Sequence, residues 1–474
     1  MKVLLVNPSF DYRKFGRFGR FMEPMPCLGL AYIAAVLKQN DIDVEVVDDF
    51  VLRMGPSGIA DFVKKNRFDI VGISCLTPSA PEVFSIAAAI KKYSGKTLIV
   101  LGNIHANVFA EEILRNEPVD IIVYGEGEYA MLELARAAAE SKDFSQVKGI
   151  CFKREGAIVK TAPRAMIENL DSLPFPAWRL FPFKKYTFLS FIDVKKPGLS
   201  ILGSRGCPYQ CTFCCLPGIG CKYRTRSVKS IADEFQYILE NFPVKQIGFF
   251  DPIFPLSKDF GMEFCEELIR RRLHDKTVWV CETRVDIVDR ELLRKMKEAG
   301  CRRILFGLES GVEELLNNVN KKCNLEDIRK AIRYAREEGV QTAGLFMIGL
   351  PGETKEMTRT TIQFAKELNL DFAKFAITVP FPGSKLYEDL TAKGELKRRD
   401  WDNFVTFNNN PKKLVCIPGK ISPEELISLQ QKAHREFYLR PKMILKQLFK
   451  MRTVGIKNLF FGLFSLLTPH RSCE

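Results

Sequence analysis

Histidine is scarce in this chain, with four among 474 residues. None of the four lies near the cysteine-rich stretch at 207–214. Zinc sites in proteins usually combine four ligands from CxxC pairs or mixed Cys/His sets. The lack of histidine here argues against zinc, although Cys215 and Cys221 lie close enough in sequence to complete a set of cysteine ligands.

Long apolar runs are also missing. A membrane-spanning helix needs about 20 predominantly apolar residues in a row, and no window of the sequence has that character. Residues 1–8 form a short β-like run broken by Asn7 and Pro8, which predicts no signal peptide. The 14 cysteines are scattered without the spacing of a disulfide framework. We therefore expect a cytoplasmic protein with reduced thiols.

The charge balance is basic, with a formal net charge of +14. No recognition motif for nucleic acid accompanies this charge, so no nucleic-acid partner is expected. A generally basic surface and a site for an anionic molecule both remain open. Hydrophobic residues make up 46% of the chain and charged residues 27%, which is typical of a globular protein. A length of 474 residues predicts two or three domains.

Residues 1–140 alternate between short apolar strands and amphipathic helices. This alternation predicts an α/β domain with a parallel, doubly wound sheet that is Rossmann-like (flavodoxin-like). The predicted strands lie at 3–6, 44–47, 70–74, 98–101 and 121–124, and the predicted helices at 28–38, 59–65, 81–93 and 110–115.

Small and polar residues follow the predicted strands of this domain. Doubly wound sheets bind their ligands at the carboxyl ends of the strands. Glycines there let a ligand approach the backbone, and hydroxyl groups supply hydrogen bonds, so a nucleotide-like cofactor could bind. The candidate cofactor-binding residues at these ends are Ser74, Thr77, Gly102, His105, Gly125, Glu126 and Gly127.

A second α/β pattern occupies residues 195–400. Residues 141–194 contain several prolines, which predict an extended linker between the two patterns. Six strand–helix steps then predict a partial (β/α)6 barrel whose site lies at the carboxyl ends of its strands. The barrel strands are predicted at 199–202, 246–250, 278–281, 303–307, 341–348 and 372–379.

Three cysteines follow the first predicted barrel strand within eight residues: Cys207, Cys211 and Cys214. Three thiols on one loop can hold three corners of a cubane iron–sulfur cluster, and ferredoxin runs add a fourth. Without a fourth protein ligand, one iron stays open for a substrate or cofactor, as in a catalytic metal site. We therefore predict a cluster with one open position and keep zinc as the alternative.

Charged and glycine-rich residues follow the other barrel strands. A single residue of this kind is commonly a cap or a turn residue. So many at one predicted rim, beside the cysteine loop, favour a shared site. The rim residues are Asp251, Glu282, Arg284, Glu309, Ser310 and the turn 349–353.

These motifs resemble the radical S-adenosylmethionine (SAM) enzymes. The resemblance is carried by CxxxCxxC after the first of six barrel strands, and by segments around Glu309 and Gly349 that are similar to SAM-binding segments. It implies a [4Fe–4S] cluster whose open iron is chelated by SAM, and cleavage of SAM to a 5′-deoxyadenosyl radical. It also implies that Glu309 and Ser310 contact SAM and that Gly349, Leu350 and Pro351 line its adenine.

The first domain resembles the cobalamin-binding domain that precedes the barrel in one subclass of these enzymes. The matching segments are Gly-Asn-Ile-His at 102–105 and Gly-Glu-Gly-Glu at 125–128. Family members often have a glycine where Asn103 stands. The cobalt-ligating motif Asp-x-His-x-x-Gly is absent from the sequence of this domain. The resemblance therefore implies cobalamin with a weak lower cobalt ligand or none.

The resemblance implies that cobalamin delivers a methyl group to a substrate radical. We therefore predict an enzyme that methylates an unactivated carbon of a small-molecule or lipid substrate, reduced by an external donor such as flavodoxin or ferredoxin. Two alternatives remain open. The same architecture could form a ring or rearrange its substrate without methyl transfer, or the chain could be a non-enzymatic iron–sulfur or zinc protein.

The C-terminal region, 401–474, is predicted to be helical and basic. Residues 423–438 carry an apolar stripe, and the apolar run at 459–467 is too short to span a bilayer. This region could pack against the barrel or a partner chain. Alternatively, it could make peripheral contact with a membrane surface.

Overall fold

Two α/β units follow one another in the computed structural model, which describes residues 1–9, 25–186, 194–219, 222–396 and 399–449. The first unit is built around a seven-stranded sheet and the second around a six-stranded sheet. The predicted fold class is confirmed by this arrangement.

Five parallel strands form the centre of the first sheet. They are β1 (Lys2–Asn7), β2 (Asp43–Asp48), β3 (Ile70–Ser74), β4 (Leu98–Gly102) and β5 (Ile121–Val123). Their order, β2–β1–β3–β4–β5, is the flavodoxin-like order. Strand β3 is buried along its whole length, as expected for a parallel strand between two layers of helices.

Seven helices of this unit are described, and most of them connect successive strands. They are α1 (Leu28–Gln39), α2 (Asp49–Leu52), α3 (Gly55–Asn66), α4 (Ala80–Tyr93), α5 (Ile104–Val108), α6 (Ala110–Asn116) and α7 (Gly127–Ala139). Helices α1, α3, α4 and α6 lie at or near the predicted positions, whereas no helix was predicted where α7 lies. The short helix α5 was not predicted, because five residues are too few to show a helical period.

The first sheet continues beyond the predicted boundary at residue 140. Strand β6 (Ile150–Arg154) pairs antiparallel with β5, and β7 (Ala157–Lys160) pairs antiparallel with β6. Glu155 and Gly156 connect the two strands with φ values of 50° and 81°. Two left-handed residues are typical of a tight hairpin turn. The prolines farther along the predicted linker obscured this hairpin in the sequence.

The linker residues from 161 to 186 pack against both units. The backbone N–H of Ala177 donates to the carbonyl of Ala31 on α1 at 3.0 Å. The buried Trp178 contacts Phe181, with ring centroids 5.6 Å apart. These linker residues belong to one apolar core that also contains residues of both sheets.

Six parallel strands of the second unit pair in chain order, as a partial (β/α)6 barrel requires. They are β8 (Gly198–Ile201), β11 (Gln246–Phe249), β12 (Val278–Thr283), β13 (Cys301–Glu309), β14 (Gln341–Ile348) and β15 (Phe372–Ile377). Between β8 and β11 lies a two-stranded antiparallel ribbon, β9 (Ser204–Arg205) and β10 (Arg224–Thr225).

The helices of the barrel begin on capping side chains. These helices are α8 (Val228–Asn241), α9 (Lys258–Arg270), α10 (Arg290–Glu298), α11 (Glu313–Asn318), α12 (Leu325–Glu337), α13 (Lys355–Glu367) and α14 (Lys385–Ala392). All except α11 follow a Ser, Thr, Asp or Asn whose side chain accepts a backbone hydrogen bond. Such caps satisfy backbone N–H groups that a helix cannot pair internally.

Helix α15 (Pro423–Tyr438) packs against the last barrel strand, and α16 (Pro441–Phe449) follows it. Gln430 Nε2 donates to the carbonyl of Phe375 at 2.8 Å, and Tyr438 donates to the carbonyl of Ala373 at 2.8 Å. No helix in the described ranges is long and apolar enough to cross a membrane. The apolar run at 459–467 lies outside the described residues, so the membrane contact stays a prediction.

Candidate functional site

The carboxyl ends of the first sheet face the carboxyl ends of the barrel strands. Tyr186 donates from its hydroxyl to Asp48 Oδ2, at the end of β2, at 2.7 Å. Arg205, which follows β8, pairs with Glu126, which follows β5, at 2.9 Å. A ligand of the first sheet would therefore lie next to a ligand of the barrel.

A cavity of about 240 Å³ lies at this junction. Its walls include Met25, which precedes α1, and Tyr186 of the linker, together with barrel residues. Among the barrel residues are Phe250, which is 57% exposed, and the acidic residues Asp251 and Glu282. The cavity is thus shared by both units.

The three candidate cluster ligands share the loop between β9 and β10. Cys207, Cys211 and Cys214 are half-buried, and none forms a disulfide. Burial raises the pKa of Cys214 to about 11, and the neighbouring thiols of Cys211 and Cys207 add to this effect. Such mutual influence places the three thiols in one part of the loop, although among the described residues no three Cys, His, Asp or Glu side chains already stand in the arrangement of metal ligands.

Two cations lie beside these thiols. Burial raises the pKa of Cys211, while the positive charges of Lys321 and Arg284 oppose that effect. Positive neighbours favour the thiolate, which is the form that binds iron. Three thiols with this electrostatic environment fit the predicted [4Fe–4S] cluster.

The loop is held by hydrogen bonds from distant parts of the barrel. Thr212 donates from its backbone to the carbonyl of Val319 at 3.1 Å and accepts at its own carbonyl from Leu386 at 2.9 Å. Asn320 Nδ2 donates to the carbonyl of Gln210 at 2.9 Å. The backbone between the second and third cysteines is thus fixed by contacts within the protein.

Arg284 ties the loop to the end of β12. Its guanidinium lies 3.7 Å from the ring centroid of Tyr209, which stands between the first two cysteines. The same group pairs with Asp286 at 2.9 Å and donates to the carbonyls of Lys321 and Lys322 at 2.9 and 2.8 Å. The stacking and the fixed guanidinium together set the position of Tyr209.

Glu309 ends β13 and forms an ion pair with Lys321, with Oε1 and Nζ 2.7 Å apart. Both side chains are about one-tenth exposed. Burial lowers the pKa of Lys321, but the Glu309 carboxylate outweighs it and the pKa lies above its ordinary value. A Cβ atom at Gly307 would lie 2.7 Å from Glu309 Oε1 and 2.8 Å from Lys321 Nζ, so a side chain there would displace the ends of this ion pair.

Ser310 points away from this pair. Its hydroxyl lies 3.1 Å from Thr361 Oγ1 and accepts from the backbone N–H of Val312 at 3.1 Å. Ser310 has no exposed surface. Its side chain therefore holds the backbone after β13, and the predicted contact with SAM falls to Glu309.

Glu353 fixes the glycine-rich turn after β14. It accepts from the backbone N–H groups of Gly349 and Leu350 at 2.6 and 2.8 Å, and from Thr358 Oγ1 at 2.8 Å. The Leu350 side chain is buried in an apolar cluster that Phe213 of the cysteine loop also contacts. The backbone of Gly349 and Pro351 is thereby held in place as a candidate adenine site.

His105 is buried beneath the edge of the first sheet. Its Nδ1 lies 3.4 Å from Thr77 Oγ1, and its ring lies 4.8 Å from Phe109 and 4.9 Å from Trp401, measured between centroids. Burial lowers its pKa to about 4. The ring is therefore neutral near pH 7 and is in contact with aromatic rings, as expected for a packing residue.

His105 is expected to make the fold sensitive to acid. In unfolded chains a histidine has a pKa of about 6.5, whereas here it is about 4. At pH values between these two, only the unfolded chain binds the proton. The free energy of unfolding therefore decreases as the pH is lowered, by up to about 1.4 kcal/mol per pH unit. Above the unfolded value this effect is absent. Urea unfolding of His105→Gln at several pH values should show a shallower acid dependence.

His434 offers the matched comparison for that experiment. It is also buried, and its pKa is likewise lowered to about 4 by burial. His434→Gln should remove a similar part of the acid dependence, and the double variant should remove both. An acid dependence unchanged in His105→Gln would contradict the assignment.

Asn103 stands where related domains often have a glycine, and its conformation shows how asparagine is accommodated there. Its φ is 82°, a left-handed value that glycine adopts most easily and asparagine tolerates better than most residues. The Asn103 side chain accepts from the backbone N–H of Ile104 at 2.7 Å and donates to Ser74 Oγ at 3.1 Å. The substitution thus preserves the turn and orients Ser74.

The edge of the first sheet fits a large, partly apolar cofactor. Small residues there, Gly102 and Gly125, leave the backbone accessible. Leu76, two residues beyond the end of β3, is 46% exposed. An exposed apolar side chain and accessible glycine backbone at the ends of nearby strands suit the face of a corrin ring, so the predicted cobalamin fits this edge.

Glu126 and Gly127, two of the predicted cofactor-binding residues, both make contacts within the protein. Burial disfavours the charge of Glu126, but hydrogen bonds from Arg224 and Arg205 outweigh it and the pKa lies below its ordinary value. Gly127 begins α7 and packs close to Ile33. The carboxylate of Glu126 is thus engaged by the second unit.

Two of the groups just described were missed by sequence reasoning. Lys321 lies in an irregular loop, where no periodicity marks a lysine as buried. Arg205 and Arg224 flank the cysteine loop. Two basic residues at the ends of a cluster motif could have indicated, from the sequence alone, that the loop has acidic partners.

Comparison with known proteins gives the family. The radical SAM superfamily model matches residues 201–365, and the B12 binding domain model matches residues 19–135. A Pyrococcus horikoshii protein, named an uncharacterized methyltransferase, is 31% identical over 471 residues, which covers 98% of each chain. The chain belongs to the radical SAM superfamily and carries a B12 binding domain.

Two further relatives share this layout. The anaerobic magnesium-protoporphyrin IX monomethyl ester cyclase of Rubrivivax gelatinosus is 30% identical, over 93% of this chain and 78% of the cyclase. The radical SAM methyltransferase TsrM of Kitasatospora setae, solved with cobalamin and a [4Fe–4S] cluster bound, has a similar fold. Its TM-score is 0.70 at 21% identity, over 90% of this chain and 85% of TsrM.

The predicted family is confirmed, and with it the cofactors of this radical SAM protein: a [4Fe–4S] cluster, SAM and cobalamin. The cluster therefore takes precedence over the zinc alternative. Of the two cysteines considered for zinc, Cys215 has its Sγ 4.0 Å from the carbonyl of Phe381, and Cys221 lies outside the described residues. The roles of the individual site residues stay predictions.

Proposed function

We propose that this radical SAM protein is a cobalamin-dependent methyltransferase that methylates an unactivated carbon of a small molecule. The observation that carries the proposal is the meeting of the two units: the domain with the predicted cobalamin edge is joined by ion pairs to the stem of the cysteine loop, on the same barrel that carries Glu309. The similarity to the Pyrococcus horikoshii methyltransferase over nearly the whole of both chains supports it.

The residues divide into three tasks. Cys207, Cys211 and Cys214 would hold the cluster, and Glu309, fixed by Lys321, would bind the ribose or amino end of SAM. When bound, the cofactors supply the radical and the methyl group. The protein orients them through the fixed cysteine loop and the turn at 349–353, and it limits the access of water at the junction.

The cavity is the proposed substrate site. Met25, Tyr186 and Phe250 give it an apolar wall. Burial raises the pKa of Glu282 to about 7, and the neighbouring Glu309 carboxylate adds to this effect. Near neutral pH the Glu282 carboxyl therefore keeps a proton part of the time and can donate a hydrogen bond to the substrate. We further propose that an external electron donor reduces the cluster.

Ring formation without methyl transfer is the second candidate. It is favoured by the cyclase of Rubrivivax gelatinosus, which is about as similar in identity as the methyltransferase relative. Both reactions would use the same cysteine loop and the same first domain. The products, and not the fold, separate them.

Product analysis tests the proposal. The protein is reconstituted anaerobically with iron, sulfide and cobalamin, and then receives SAM with a labelled methyl group and a chemical reductant. Methyl transfer predicts S-adenosylhomocysteine that depends on cobalamin, together with 5′-deoxyadenosine from the radical step. Omission of cobalamin is the control. 5′-Deoxyadenosine alone, with cobalamin present, would contradict methyl transfer and favour the second candidate.

A further inference from the structure

The cysteine loop begins and ends on a pair of arginines. Arg205 on β9 and Arg224 on β10 are direct partners in the antiparallel ribbon that forms the stem of the loop. All three cluster cysteines lie between them, and Cys207 comes two residues after Arg205. Like charges directly opposite each other destabilise an antiparallel pair. The stem therefore needs a negative group nearby.

The first domain supplies that negative group. Glu126 accepts from Arg205 Nη1 at Oε1 and from Arg224 Nη1 at Oε2, both at 2.9 Å. Arg205 Nη2 also donates to Glu128 Oε1 at 2.5 Å. One carboxylate thus bridges the two arms of the stem, and a second holds the arm that leads into the first cysteine.

These four side chains are largely shielded from water, with exposed fractions between 4% and 17%. The backbone N–H of Ile167 also donates to Glu126 Oε2 at 2.7 Å, which fixes the orientation of the carboxylate. Charge-assisted hydrogen bonds are strong and geometrically specific. Removing one partner of a buried ion pair leaves an uncompensated charge.

We propose that Glu126 and Glu128 are positioning residues for the iron–sulfur cluster. The domain that would carry cobalamin holds both ends of the loop that carries the cluster, and it thereby fixes the loop geometry and the separation of the two cofactors. The inference does not depend on methyl transfer, because it concerns assembly of the cluster in any reaction of this protein.

The test compares two variants of the same helix in the full-length protein. Glu126→Gln removes the bridging charge. Glu133→Gln removes the charge of another α7 carboxylate, which pairs with Arg164 outside the cysteine loop.

After anaerobic reconstitution, iron loss to a chelator and the EPR spectrum of the reduced cluster are recorded with and without SAM. We expect Glu126→Gln to lose iron about tenfold faster, with an altered spectrum, because a buried charge is left unpaired. Glu133→Gln should behave as the wild type.

A double-mutant cycle separates the clamp from a general loss of stability. If Glu126 acts through Arg224, the variant carrying both Glu126→Gln and Arg224→Gln should lose iron no faster than the worse single variant. Additive effects on iron loss would overturn the proposal. An iron-loss rate and an EPR spectrum of Glu126→Gln equal to those of the wild type would also overturn it, whatever the product analysis shows.

Discussion

The alanine variant of Cys211 is expected to lose both the iron–sulfur cluster and SAM cleavage. The surrounding loop is pinned by Thr212 and Asn320, so the backbone cannot shift to bring another thiol into the vacant position. Loss of a group that only supports a metal ligand lowers metal affinity or activity by up to about 100-fold. Loss of a ligand itself should cost more, so we expect SAM cleavage to fall by more than about 100-fold. Iron content, the EPR spectrum and 5′-deoxyadenosine formation measure the effect.

Cys215 provides the matched control for this experiment. It is on the same loop, next to a proposed ligand, but it stands outside the CxxxCxxC spacing. Its Sγ lies 4.0 Å from the carbonyl of Phe381, which follows the last barrel strand. Cys215→Ala should therefore keep its iron and its SAM cleavage. Equal losses in Cys211→Ala and Cys215→Ala would refute the assignment of the ligands.

The second large effect is expected at Glu309. Glu309→Gln removes a carboxylate proposed to contact SAM and leaves the buried Lys321 without its ion-pair partner. Breaking such a pair typically costs about 3–5 kcal/mol. If only about 1.4 kcal/mol of this appears in ligand binding, the dissociation constant of SAM rises about tenfold. The SAM-dependent change in the EPR spectrum of the reduced cluster gives that constant.

Ser310→Ala is the control, one residue along the chain. Its hydroxyl contacts Thr361 and Val312, so the variant should lose about 1 kcal/mol of stability, as for an ordinary hydrogen bond. The affinity for SAM should stay close to that of the wild type. A loss of SAM affinity as large as that of Glu309→Gln would show that both residues belong to the binding site.

Much of the fold could be predicted from the sequence because its signals are local. The buried strands of a parallel sheet are short apolar runs, and the helices between them are long enough to show a period. The hairpin β6–β7 shows neither signal clearly. The cysteine loop was predictable for the same reason as the strands, since all three ligands lie within eight residues.

The rest of the site depends on contacts between distant residues. Arg205 and Glu126 are 79 residues apart in sequence, and their pairing requires the two units to be placed against each other. The direction in which a site side chain points could not be predicted from the sequence either. Glu309 and Ser310 are adjacent where β13 ends, and the left-handed φ of 59° at Glu309 departs from regular strand geometry. A motif that contains both residues therefore does not say which one faces SAM.

The cavity at the junction and the radical-forming site are built from different residues. Its apolar wall comes from Met25, Tyr186 and Phe250, whereas the cysteine loop and Glu309 are fixed by other segments of the barrel. Substitutions in the wall can change the shape offered to a substrate and leave the radical-forming apparatus intact. If the cavity is the substrate site as proposed, exchanges in its wall would change which substrate fits without altering the residues assigned to the cluster and to SAM.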